Sequence, residues 1–125
     1  MLCKCKIKKL YDSIEEAVLI ETNGYELYCF ISYCTFEIFE NKYYEVDLSY
    51  EILDDYILNK SNSTIGFNRI KDGFSYELTA ELQNNQLVLA NLKFDDDFLL
   101  NYSHLNNCTV SLLIDRLNVE FIKPL

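Results

Sequence analysis

The sequence predicts a mainly β fold, a single antiparallel barrel or sandwich with one or two short helices, in one domain spanning residues 1–125. Three observations lead there. Residues 15–50 hold two apolar runs meeting at Asn23-Gly24, a dipeptide that tolerates positive φ at both central positions of a type I′ turn. Period-two alternation recurs along the chain and is plainest at residues 43–50. The ten Tyr and eight Phe, with no Trp and with abundant Ile and Val, favour strand over helix. A chain of 125 residues, 50% hydrophobic, buries about two-thirds of its unfolded surface, which is enough for one core.

Residues 3–11 alternate, with Cys3, Cys5, Ile7 and Lys9 on one face and Lys4, Lys6 and Lys8 on the other. A lysine row of this kind commonly guards an edge strand. If Asn23-Gly24 closes the next hairpin, Thr22 faces Tyr25, Ile20 faces Leu27 and Val18 faces Cys29. On the opposite side Glu21 faces Glu26, Leu19 faces Tyr28 and Ala17 faces Phe30. The hairpin base is apolar on both sides, so its second face must be covered by a barrel, a second sheet or a partner. At the tip, Glu21 and Glu26 repel, which places them in solvent or beside a cation.

In residues 43–50, Tyr44, Val46, Leu48 and Tyr50 face inward while Tyr43, Glu45, Asp47 and Ser49 face outward. Residues 51–60 change period. Ile52, Leu53, Tyr56 and Ile57 form one stripe of a short helix, with Ser49 as its N-cap and Lys60 at its negative end. Strands follow at 65–70 and 74–80, then a four-residue loop at 83–86 and one strand over 87–94. Asp95-Asp96-Asp97 opens a second short helix at 98–102, with His104 near its end. Residues 110–114 and 118–122 read as a closing hairpin. With one Pro and three Gly in the chain, Asn23, Asn41, Asn62, Asn84, Asn85, Asn106 and Asn107 must supply much of the turn chemistry.

Composition excludes several functions. The net charge is −9, and from Asp12 to Leu58 there are twelve acids against the single base Lys42. Nucleic-acid binders need Lys and Arg against phosphate, so the patch argues against DNA or RNA and for a basic protein partner. No signal peptide is evident, and no apolar run nears the ~20 residues needed to span a bilayer. Five cysteines, Cys3, Cys5, Cys29, Cys34 and Cys108, fit neither a paired secreted framework nor a zinc site. They read as free thiols of a cytoplasmic protein.

No residue pattern carries catalysis, a metal or a cofactor, so an enzyme is not expected. Asp95-Asp96-Asp97 lacks the spacing and turn glycine of a calcium loop and reads as a helix cap. His104 has no Ser, Cys or carboxylate at a motif spacing. Cys29 and Cys34 sit in the most apolar stretch, where burial keeps a thiol inert. Gly66 and Gly73 do not form a phosphate cradle.

What remains is a Tyr and acid surface formed by Tyr43, Glu45, Asp47, Glu51, Asp54, Asp55 and Tyr56. Tyr adds rigid contact area and acids steer a basic partner, so these seven residues are the expected binding face. Two other readings stay open: a barrel that holds a small ligand or single-stranded nucleic acid on an aromatic platform beside Lys4, Lys6 and Lys8, and a self-associating structural subunit.

Cys29-Phe30-Ile31-Ser32-Tyr33-Cys34, with Tyr44-Glu45-Val46-Asp47-Leu48-Ser49 after it, resembles small bacterial barrel proteins of OB-like type, some of which accompany toxins as immunity proteins. The resemblance implies an OB-like core and an inhibitor that covers a basic, nuclease-type toxin domain in the cytoplasm, its acids standing in for substrate phosphates. Extra strands after Phe74 depart from a plain OB-fold.

Overall fold

The computed structural model describes residues 1–125. It is mainly β, with eleven strands and one helical segment. The chain divides into two compact units, Met1–Glu51 with Arg116–Leu125, and Ile52–Asp115.

The first unit is a closed five-stranded barrel. Its strands are β1 (Leu2–Leu10), β2 (Ala17–Thr22), β3 (Tyr25–Tyr33), β4 (Tyr43–Glu51) and β11 (Arg116–Pro124), in the order β1-β2-β3-β11-β4 with β4 returning to β1. All six expected hairpin pairs form, from Ala17 opposite Phe30 to Thr22 opposite Tyr25. Asn23 and Gly24 take φ of 50° and 83°, the left-handed values a type I′ turn needs. Closure covers one apolar face of the hairpin base, and side chains outside the barrel, Tyr11 and Arg116 among them, partly cover the other. Val18, Ile20, Leu27 and Cys29 are fully buried, while on the other face Ala17 and Tyr28 are also buried, Tyr28 edge-on to Tyr11. At the tip, Glu21 and Glu26 are exposed, with the Lys8 ammonium 3.9 Å from Glu21.

Two expectations for β1 are corrected. It is not an edge strand, because it pairs with β2 on one side and β4 on the other. Alternation also breaks at a bulge between Ile7 and Lys9, which sends Lys9 outward over Tyr11 and brings Leu10 opposite the buried Val18. The last strand is corrected too. β11 does not fold back on its predecessor as a hairpin; it enters the barrel antiparallel to β4 and parallel to β3.

The thiols follow from this packing. Burial pushes the Cys5 thiol from 9.0 up to about 12 and raises Cys29 well above its ordinary value. Stability associated with these raised values is fully present below the unfolded value and is lost as pH rises through the folded one. Thermal unfolding is therefore expected to move to lower temperature as pH climbs above 9.0. Ellman titration of the native protein should likewise miss Cys5 and Cys29 until denaturant is added.

The second unit is inserted in sequence between β4 and β11. It is a six-stranded antiparallel sheet of β5 (Leu58–Lys60), β6 (Gly66–Arg69), β7 (Tyr76–Gln83), β8 (Gln86–Leu89), β9 (Leu92–Asp95) and β10 (Thr109–Ile114). Its order is β5-β10-β7-β8-β9, with β6 also on β7. The extra strands thus precede the last barrel strand instead of trailing it. Tyr76, Leu78, Ala80, Leu82, Leu87, Leu89, Val110, Leu112 and Ile114 are buried.

Residues 51–57 do not form the expected helix. Ser49 cannot cap one because it is held in β4 opposite Asn118, and the Leu53 N–H donates to the Asp115 carboxylate at 2.6 Å instead of closing a helical turn. The apolar stripe also fails to bury, since Leu53 is 65% exposed. The second expected helix does form, as 3₁₀ turns over Asp97–Leu105 with a break at Tyr102. Asp96 is its N-cap, accepting from the Phe98 N–H at 3.0 Å.

The turns rely on asparagine as expected. Five of the seven non-glycine residues at positive φ are Asn23, Asn41, Asn84, Asn85 and Asn107. Asn84 and Asn85 close a two-residue turn between β7 and β8, tighter than the expected loop. The expected single strand over 87–94 is a hairpin, β8 and β9, turning at Ala90 with φ of 51°. A Cβ in that region costs about 1–2 kcal/mol, so Ala90→Gly is expected to stabilise the protein by roughly 0.5–1 kcal/mol in urea unfolding, after the entropy of the added glycine is subtracted.

Candidate docking site

The seven predicted residues fall into two groups. Tyr43, Glu45, Asp47 and Glu51 lie on β4 of the barrel. Period two turns the first three outward there, and Tyr44, Val46 and Leu48 are buried in the barrel as the alternation requires.

The outward row is less acidic in its setting than in sequence. Glu45 sits opposite Lys4 on β1 and Lys123 on β11, close enough in register for side chains to interact. Asp47 accepts from the Met1 ammonium at 2.5 Å. Tyr43 lies under two cations, with the Lys4 and Lys6 ammoniums 4.9 and 5.8 Å from its ring centre.

Glu51 is committed to the barrel. Its Oε2 accepts from Arg116 Nη2 at 2.6 Å, Arg116 Nε at 2.8 Å and Asn118 Nδ2 at 3.2 Å, and the guanidinium stacks 4.0 Å from the Phe30 ring centre. The Asn118 amide and then Arg116 hold the Glu51 carboxyl below its ordinary 4.5. A depressed carboxyl contributes stability that is present above the unfolded value and lost as pH falls through the folded one. Glu51→Gln is expected to lower Tm near neutral pH and to converge on the unsubstituted protein below pH 4.5, followed by thermal unfolding at stepped pH.

Asp54, Asp55 and Tyr56 belong to the second unit. Tyr56 points into an internal aromatic stack: its ring lies 4.5 Å from Phe98 and 5.9 Å from Tyr102, and its hydroxyl donates to Asp96 Oδ2 at 2.8 Å. Asp96 thereby fastens residues 51–57 to the 3₁₀ segment that it caps. Asp95 accepts from Gln86 at 2.8 Å, and His104 is exposed beside Tyr102.

Asp54 and Asp55 meet a third acid that the sequence did not mark. With Asp115 they line a groove of about 280 Å³ together with Ile57, Ile70, Ser75, Leu113 and Ile114. Three elements build it. Residues 52–57 are held to the end of β10 by the Leu53 to Asp115 hydrogen bond. The β6–β7 turn is fixed by Arg69, whose guanidinium donates to the Asp72 and Gly73 carbonyls at 2.6 and 2.9 Å, and by Ser75, whose hydroxyl donates to the Asp115 carbonyl at 3.2 Å. The end of β10 brings Leu113, whose outward neighbours on the strand are Thr109 and Ser111.

Three large aliphatic side chains thus stand partly in water: Ile57 is 44%, Leu113 39% and Ile70 37% exposed. Asp54, Asp55 and Asp115 form no ion pair. A sequence signal for Leu113 existed, because the doublet Leu112-Leu113 puts its two leucines on opposite faces of a strand. Asp115 had none, since it read as part of a hairpin turn.

A family described as uncharacterised conserved protein UCP019853 matches residues 1–122. The chain belongs to this family. No curated protein and no solved structure matches this UCP019853 member. No three His, Cys, Asp or Glu side chains come together to hold a metal ion, and no helix is long and apolar enough to cross a membrane.

Proposed function

We propose that this UCP019853 protein is a binding module for a basic protein partner, and that the partner is a cationic, nuclease-type toxin domain which the chain neutralises in the cytoplasm. The observation carrying this reading is the groove of the second unit, where Asp54, Asp55 and Asp115, none of them in an ion pair, lie with exposed Ile57, Ile70 and Leu113. Exposed apolar area beside charge outside any ion pair favours a partner that brings both cations and hydrocarbon. The closed five-stranded barrel supports the OB-like part of the resemblance.

The test is to purify the products of the genes flanking this one and mix each with the chain. A tight, salt-sensitive complex with a basic toxin domain, and rescue of growth on co-expression, is the expected result. Flanking products without a basic domain, or a complex indifferent to salt, would remove the basis of the reading.

One observation favours a second reading. Lys4, Lys6 and Tyr43 line a shallow groove of about 180 Å³ on the barrel, together with Glu21, Thr22 and Asn23. A single-stranded oligonucleotide stacking there would quench tyrosine fluorescence. The barrel interior offers no such room for a small ligand, because Ile7, Val18, Ile20, Leu27, Leu48, Leu117 and Val119 fill it at 0% exposure.

A further inference from the structure

We propose that the acid-lined groove of the second unit is an anchor pocket for a single arginine side chain, carried by the partner between apolar residues. This rests on the proposed binding of a basic protein. At about 280 Å³ the groove falls just below the roughly 300–1,000 Å³ of small-molecule sites, which suits a side chain better than a metabolite.

Its lining offers partners for both parts of an arginine. Ile57, Ile70 and Leu113 offer hydrocarbon to the three-methylene stem, and Asp54, Asp55 and Asp115 offer carboxylates to the head. One Asp115 oxygen is already taken by the Leu53 N–H, so Asp54 and Asp55, both exposed and without an ion pair, are the open acceptors. Several acceptors in one groove favour a planar fork of five donors over a compact ammonium, and a guanidinium sheds water more readily beside hydrocarbon. Arg69, on β6, donates to the carbonyls of its own turn. Apolar residues flanking the arginine would cover what remains exposed of Ile70 and Ile57.

The full chain is titrated at low salt with blocked acetyl-Leu-Arg-Leu-amide and with its lysine and citrulline counterparts, followed by backbone amide shifts. The arginine peptide should give saturable shifts at Asp54, Asp55, Ile57, Leu113 and Asp115. The lysine peptide should bind about threefold more weakly, and the uncharged citrulline peptide about tenfold or more. Leu113→Ser and Asp55→Asn, both at exposed side chains, should each weaken the arginine peptide by about threefold. Equal binding of the citrulline peptide, or shifts confined to barrel strands, would overturn the pocket.

The two readings fail separately. If the peptide binds here and no basic flanking product does, the pocket stands and the toxin-neutralising reading falls. If such a product binds with affinity unchanged by Leu113→Ser and Asp55→Asn, the pocket falls and the binding module stands.

Discussion

Leu48→Ala is expected to destabilise the protein by about 2–5 kcal/mol, the range for removing a fully buried leucine. Leu48 is 0% exposed and lies on β4, which is hydrogen-bonded to β1 on one side and β11 on the other. A strand tied on both edges cannot move inward to close the cavity, so the loss belongs toward the upper end. At roughly 4 °C per kcal/mol for a domain of this size, Tm should fall by roughly 8–20 °C. Tyr43→Ala supplies the control: the same strand, opposite parity, and 46% exposure, hence a cost of about 1 kcal/mol or less, chiefly from the lost Lys4 and Lys6 contacts. Urea unfolding monitored by far-ultraviolet dichroism reads both. A Leu48→Ala cost below that of Tyr43→Ala would mean that β4 is turned the other way around.

This parity was readable because it is local. Alternation at 43–50 needs only neighbouring residues, and Asn23-Gly24 fixes its own register, so six cross-strand pairs followed from one dipeptide. Asparagine turns were likewise forced by the scarcity of glycine. What failed was information held elsewhere in the chain. The single residue Asp115 between β10 and β11 looks like a tight turn, yet the two strands enter different sheets; nothing within residues 110–122 records that β11 will lie parallel to β3. The stripe at 52–57 has helical spacing, but its backbone is claimed by Asp115 and its tyrosine by Asp96.

The candidate site divides in the same way. Outward placement of Glu45 and Asp47 followed from period two, whereas their neighbours Lys4, Lys123 and the Met1 ammonium come from strands distant in sequence. Asp54 and Asp55 were visible as acids. The apolar groove that they line depends on β10 and the β6–β7 turn, which only folding brings beside them.

That division predicts unequal effects of charge reversal on binding of the proposed basic partner. Asp54→Lys with Asp55→Lys is expected to weaken binding by about 10- to 100-fold, since two attractive contacts become two repulsive ones in a screened surface setting. Neither side chain holds the fold, so far-ultraviolet dichroism and Tm should stay near those of the unsubstituted protein. Most of the loss should appear in the association rate and shrink as salt is raised, because rim charges act through steering that is screened over about 8–10 Å. Glu45→Lys should cost less, about threefold or under, because Lys4 and Lys123 stand opposite that position on both neighbouring strands and make its surroundings less acidic. Surface plasmon resonance at two or more salt concentrations separates the cases. If Glu45→Lys proved the more damaging change, the barrel strand and not the second unit would carry the docking surface, and the aspartates of the groove would serve solubility alone.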